Sequence, residues 1–414
     1  MTDSGYWPSP WPGEDGGPRR LQTPQGIAGP RLQCGEALDV TSRELLGTTM
    51  VVLRDPGEVY VHAFAPGSPT SVVERVDPIS LTTLHASPEL PAGPWWPGGV
   101  AVHANGDLYV TAGRWCHRLD PDCALVASRE LPRDRPYNSL VILPDGHVVM
   151  KDLVMDGSDR SRLVVLEPDR LRPAGPEVDV PEDSIARISA DGSTVYVVGT
   201  TGVHRFDWDG TRLVHDEQWR APYVRFDGQH YGWDPVLASG SAWFLDNGAG
   251  SDRFAGSFRG RGIATAPLHL VRAAVDGHGG DVELVEICGK PGGIVVNPPL
   301  VDPVRRIAVG FDSGNGVLAA FAYDRHDIAP RWRRDQDHGG HMLLWPDTGE
   351  LVTYDHHDGH DDVVIVDVAT GDELARAGTG SPIQSVVFPA PGWDRDLYYC
   401  SLTTVARVRP AGEA

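Results

Sequence analysis

The stretch HMLLWPDTGELVTYDHHDGHDD, residues 341–362, decides how this chain folds. Two apolar runs flank Pro346, Asp347, Thr348 and Gly349, a β-turn composition, so the segment reads as a β-hairpin. With the turn centred near Thr348, cross-strand pairing sets His341 beside Asp355. The open end of the hairpin then carries His338, His341, Asp355, His356, His357 and His360. Five of the chain's 16 histidines fall between residues 338 and 360, the densest titratable chemistry in the sequence.

Working outward, the same grammar recurs from about residue 45 onward: apolar strand, Asp/Asn-Gly turn, second strand, variable loop, third strand, Asp-containing turn, fourth strand. No segment carries a 3.6-residue apolar period. The first strands are expected to begin near Thr48, Gly98, Asn138, Ile185, Trp233, Gly292, His341 and Gln384, 40 to 59 residues apart. A repeated four-stranded unit of that length is the signature of propeller blades. The expected fold is all-β, a single-domain β-propeller of eight blades, with seven as the alternative if the first unit is misread. The last unit has only three strands, and residues 31–39 are expected to supply its fourth, closing the ring and removing exposed edges.

The totals narrow the partners. Lys and Arg number 36 against 57 Asp and Glu, a formal charge of −21 with no basic run, so nucleic acid and anionic membrane are not expected partners. Five cysteines, odd in number and without CxxC, point to a reduced, cytoplasmic protein, with Cys116 and Cys123 as two packed thiols. No apolar run approaches the ~18 residues of a membrane span. Residues 1–30 lack a signal-peptide core and read as a flexible arm, on which Trp7 and Trp11 are the possible docking points, leaving 31–414 as the propeller.

The repeat sorts its loops onto two faces. First-to-second and third-to-fourth connections are short acidic turns. The opposite face is irregular, with Trp95 and Trp96, Arg135 to Tyr137, His230 to Trp233 and the long 247–267 insertion. Function concentrates on variable loops held by a rigid scaffold, so the irregular face is the expected site. There, pairing places Asn138 opposite Asp152, Asp234 opposite Asp246, and His341 opposite Asp355 and His356, all converging on the axis. Carboxylates held close need a compensating cation or proton. Asn138, Asp152, Asp234, Asp246, His341 and Asp355 are therefore candidate ligands for a divalent ion, Ca²⁺ or Mg²⁺ by oxygen content, Mn²⁺, Fe²⁺ or Zn²⁺ if the imidazoles join. The alternative is that these groups cap strand ends and bond backbone amides. His341 and His356 are candidate acid–base groups, with Asp355 and Lys151 beside them. Trp95, Trp96, Arg114, Tyr137, Trp233 and Gln384 are candidate substrate contacts. The glycine-rich 247–267 insertion is expected either as a lid whose Arg253, Arg259 or Arg261 meets an anionic group or as a disordered surface excursion. Neither GxSxG nor GK[ST] occurs, so a serine-hydrolase elbow and a phosphate loop are not indicated.

Two resemblances follow. RPYNSLVILPDG, residues 135–146, resembles the PNGL…PDG strand of the senescence-marker-protein, gluconolactonase and strictosidine-synthase-like propellers. That likeness implies a metal ligand at Asn138 and a lactonase-type reaction. VDVATGDEL, residues 366–374, is similar to the repeat of eight-bladed quinoprotein dehydrogenases, whose quinone sits on the axis; with one such match, PQQ is not the expected cofactor. The expectation is an enzyme acting on a small molecule at a metal-assisted axial site, as a hydrolase of lactones or esters or as a lyase or isomerase. The alternative is a non-catalytic propeller that binds a ligand or protein.

Overall fold

In the computed structural model, residues 5–155, 157–226, 229, 231–246, 257–277, 279–384, 386 and 388–412 are described. They form eight antiparallel sheets, each built on four strands. Blade 1 begins with Thr48–Leu53, blade 2 with Gly99–Val102, blade 3 with Tyr137–Ile142 and blade 4 with Ser189–Asp191. Blades 5 to 8 begin with Val236–Ala238, Leu300–Asp302, Leu343–Trp345 and Pro389–Pro391. Blade 8 takes its outer strand, Leu38–Glu44, from the N-terminal side, paired antiparallel with Thr404–Pro410. The propeller has eight blades, and the chain closes its own ring.

Burial explains the composition of each strand. The inner strand Thr48–Leu53 is buried at every position, because both its faces lie against other blades, so it reads as unbroken apolar and Thr sequence. The outer strand Ile328–Asp335 is mostly exposed and carries three arginines. The sequence-based starts fall up to eight residues early, as at Gly292 against Leu300, because the chain approaches each inner strand as extended backbone outside the ladder.

Those approaches also slip the expected register. Leu343 pairs with Val352 and Trp345 with Glu350, so the blade 7 turn spans residues 346–349 and centres half a residue before Thr348. Continued outward, that register sets Asp355 across from Gly340, not His341. In blade 5, Val236 pairs with Trp243 around the Ser239–Gly240 turn, whose φ values of 52° and 72° suit a tight hairpin. In blade 3 a register shift lies between Tyr137 and Leu140. A one-residue slip sends side chains to opposite faces. Asn138, Asp234 and His341 are thereby separated from Asp152, Asp246 and Asp355.

Residues 5–30 do not form the flexible arm expected of residues 1–30. From Gly5 onward they are packed on the turn face and into the axis. Trp7 N bonds Val102 O, Leu53 N bonds Trp11 O, Ala190 N bonds Pro18 O, Leu237 N bonds Arg19 O and Leu344 N bonds Gln22 O. The segment thus touches the inner strands of blades 1, 2, 4, 5 and 7. Trp11, Asp15 and Gln22 are fully buried. Charge and backbone bonding, not an apolar stripe, hold it there.

Candidate functional site

The axis is filled by a charged knot. Arg20, 1 % exposed, donates to Ile188 O (2.9 Å), to Asp15 (3.2 Å), to Ser139 Oγ (2.6 Å) and to Glu14. Asp15 accepts from His341 Nδ1 at 3.0 Å. Arg187 crosses the channel, pairing with Asp234 (3.4 Å) and donating to Pro97 O (3.0 Å), with its guanidinium 4.9 Å from the Phe388 ring centre. Burial raises the Glu14 carboxyl above its ordinary range despite Arg20 and Arg187. Burial pushes the Asp15 carboxyl the same way, but His341 and Arg20 outweigh it and hold Asp15 below its ordinary value. Two guanidiniums here oppose a bound cation.

At the irregular end of the axis Trp95, Trp96, Pro97, Arg187, Trp233 and Asn297 close around a cavity of about 20 Å³, room for little more than a water. Trp95, Trp96 and Trp233 therefore plug the mouth that they were expected to line for a substrate. A quinone on this axis, as the quinoprotein resemblance implies, does not fit the space the knot and the tryptophans leave.

The expected metal ring does not assemble. Asn138 Nδ2 donates to Ile185 O at 2.7 Å, and Asp234 accepts the Arg187 backbone N–H at 2.6 Å; both stitch one blade to the next. Asp152 accepts the N–H of Arg162 and pairs with Arg133 at 2.9 Å. Asp246 accepts the N–H of His269 and pairs with its ring at 3.0 Å. Asp355 accepts the N–H of Asp337 and pairs with Arg376, both at 2.9 Å. Each carboxylate closes a loop in its own blade, the capping role weighed against the metal, and the gluconolactonase-type centre implied through Asn138 is not built. Lys151 is buried with Nζ donating to Asp152 O and Ser184 O, each at 2.9 Å, and burial lowers its ammonium to about 8. Tyr137 is buried, and Arg114 pairs with Glu130 and Asp134 away from the axis. Asn247 and Arg253 lie outside the described residues.

Away from the axis, at the edge of blade 7, lies an open polar cleft of about 460 Å³, lined by Asp337, Asp355, His356, His357, Ser257 and Arg259 among others. The strand Glu350–His357 carries the histidines to it, and the backbone N–H of His356 bonds Asp337 O at 3.2 Å. Asp337 accepts from Ser257 Oγ, and from Gln384 Nε2 at 3.0 Å, while Arg259 Nε lies 3.9 Å from it. Burial raises the Asp337 carboxyl. Burial lowers the His356 imidazole against the opposing field of Asp337, and its Nδ1 is buried without a hydrogen-bond partner. Gln384, expected as a substrate contact, is an anchor: it accepts the N–H of Phe258 at 2.7 Å and so ties that residue of the 247–267 insertion to blades 7 and 8. Of the residues expected to be catalytic, His356 and Asp355 share this cleft, whereas His341 and Lys151 do not. Asp337 was missed, although it stands one residue before His338, the first of the clustered histidines.

No family model matches the sequence, and no curated protein matches it. Among solved structures the chain is similar to the quinohaemoprotein alcohol dehydrogenase of Comamonas testosteroni, with a TM-score of 0.67 and 13 % identity over 98 % of this chain and 81 % of that one. It is similar to a second such dehydrogenase, from Pseudomonas putida HK5, with a TM-score of 0.65 and 11 % identity over 99 % of this chain and 81 % of that one. The Dos1 propeller aligns with a TM-score of 0.52 and 10 % identity over 97 % and 94 % of the two chains. At such identities the likeness carries the architecture alone: this chain is an eight-bladed β-propeller.

Proposed function

We propose that the protein is an enzyme acting on a small polar molecule in the blade 7 cleft, by proton transfer through His356. The observation that carries this reading is the juxtaposition of a buried, unpaired imidazole nitrogen and a buried carboxyl in an open polar cleft. A neutral imidazole beside a carboxyl whose proton affinity burial has raised can exchange protons with a bound substrate. Arg259 offers a cation to an anionic or carbonyl-bearing substrate. Hydrolysis of a lactone or ester, or a lyase or isomerase step, fits those groups, and the free cysteines fit a cytoplasmic setting.

The sealed axis favours the second reading, a propeller that binds a ligand or protein without turnover. A panel of lactones, esters and hydroxy acids assayed with the wild type and His356→Ala separates the two. Turnover that falls roughly 10²–10⁴-fold in the variant, with an acid limb below the ordinary imidazole range, supports the enzyme. Turnover indifferent to His356, or absent across the panel in folded protein, supports the scaffold.

A further inference from the structure

The tip of the blade 7 hairpin holds groups that the cleft reading leaves unused. Strands Glu350–His357 and His360–Asp367 are joined by the two-residue turn Asp358–Gly359, with φ values of 49° and 80°. Both residues in the left-handed region make this a tight turn matched to strand twist, so the last pair of the ladder is rigidly placed. That pair is His357 and His360, followed one residue inward by His356 opposite Asp361 and then by Asp355 opposite Asp362. Alternation along a strand puts Asp355, His357, His360 and Asp362 on one face, as a two-by-two array of carboxylates and imidazoles.

Within that array Arg376 neutralises the inner side, its Nη1 reaching Asp355 Oδ2 at 2.9 Å and Asp362 Oδ2 at 3.2 Å. Asp362 Oδ1 is turned to the outer side. His360 Nε2 lies 3.7 Å from it, His357 Nε2 lies 3.8 Å from Oδ2, and the two rings stand 4.4 Å apart edge-on. One ligand atom from each of the three residues falls within 4.8 Å of the others. Bonds of ~2.1 Å around a tetrahedral ion set ligands about 3.4 Å apart, so small side-chain rotations complete the set. The two histidine side chains are 41 % and 47 % exposed, which gives an ion access from solvent.

We propose that His357, His360 and Asp362 form a binding site for one divalent transition-metal ion of the Zn²⁺ class at the tip of the blade 7 hairpin. Two imidazoles and one carboxylate select Zn²⁺, Co²⁺, Ni²⁺ or Fe²⁺ over Ca²⁺ and Mg²⁺, which take oxygen ligands. Three protein ligands leave at least one coordination position for water or an exogenous group. His357 also lines the cleft, so that open position lies at its rim. The site stands on ligand geometry and does not depend on the cleft being catalytic.

The experiment is a titration of untagged full-length protein with Co²⁺ alone, followed by its visible ligand-field bands, and then competition by Zn²⁺. The expected result is one equivalent bound with a four- or five-coordinate spectrum. His357→Ala and His360→Ala should each weaken binding by at least about tenfold, a loss on the scale known for disturbed metal ligation. His326→Ala, an exposed histidine on blade 6, should change nothing. Weak multi-site binding, or stoichiometric binding that survives in the His357→Ala/His360→Ala double variant with an unchanged circular dichroism spectrum, overturns the proposal. Since the readout is the metal itself, absence of turnover leaves this result intact, and absence of metal leaves the His356 test intact.

Discussion

Arg20→Ala is the most exacting test of the axial knot. The guanidinium is buried, joins Glu14 and Asp15, and bonds Ser139 and the Ile188 carbonyl. Removing it strands two carboxylates whose other nearby charges are Arg187 and His341. Breaking a buried pair from one side costs about 3–5 kcal/mol. With an unfolding entropy of ~2.1 cal/mol/K per residue, 414 residues give roughly 0.9 kcal/mol/K, so about 4 kcal/mol lowers Tm by roughly 5 °C. The assay is thermal unfolding followed by circular dichroism across a pH series. Glu14 is already raised by burial, so its folded state binds protons more readily than the unfolded chain does. Stability contributed by such an acid falls as pH rises, and without Arg20 this penalty grows. The deficit relative to wild type should therefore narrow from about pH 7 to about pH 5. The double variant Glu14→Gln/Arg20→Met should recover part of the loss, since it removes charge on both sides. A Tm within about 1 °C of wild type, or a deficit constant across pH, would refute the electrostatic account in favour of packing alone.

Three further outcomes follow from the same structure. Lys151→Met should abolish a stability gain: the wild-type ammonium, lowered to about 8 from 10.5, penalises the folded state below that window, so stability rises as pH climbs through it. The rise is roughly 3 kcal/mol by linkage, read as a pH-dependent urea midpoint that the variant should lack. Deleting residues 1–24 should leave a folded but less stable wheel by thermal scan, whereas deleting 1–44 also removes Leu38–Glu44, exposes the edge of Thr404–Pro410 and should aggregate by light scattering. Gln384→Ala should cut the tie between Phe258 and Asp337, seen as faster proteolysis within residues 247–267 while the global Tm moves little.

The wheel was legible because its grammar is local: Asn105-Gly106, Asp145-Gly146 and Asp191-Gly192 each announce a hairpin, and the missing strand of blade 8 announces ring closure. The site was not, for two reasons. Locating the turn at Thr348 instead of between Asp347 and Thr348 moved His341 to the wrong partner, and the same single-residue error set Asp234 opposite Asp246, which the observed register keeps apart. Second, beyond Trp7 and Trp11, nothing local in residues 5–30 reports their destination. Arg20 meets Ile188 and Ser139, and Gln22 meets Pro299 and Met342, partners far along the chain. Polar side chains that bond distant backbone leave no periodic trace. The hairpin that drew attention first did carry the open cleft, but through His356 and Asp337 at its flank.

The pairing of Leu38–Glu44 with Thr404–Pro410 has a consequence for biosynthesis. A ribosome releases the N-terminal strand long before its mate exists, so that strand and the hub segment preceding it must wait, solvated, while the intervening blades stack. Residues made before the blades are then among the latest to settle. Loop closure across the more than three hundred residues between the two strands makes this latch slow and cooperative. Nascent chains stalled short of Thr404 should accordingly recruit chaperones that the finished wheel ignores.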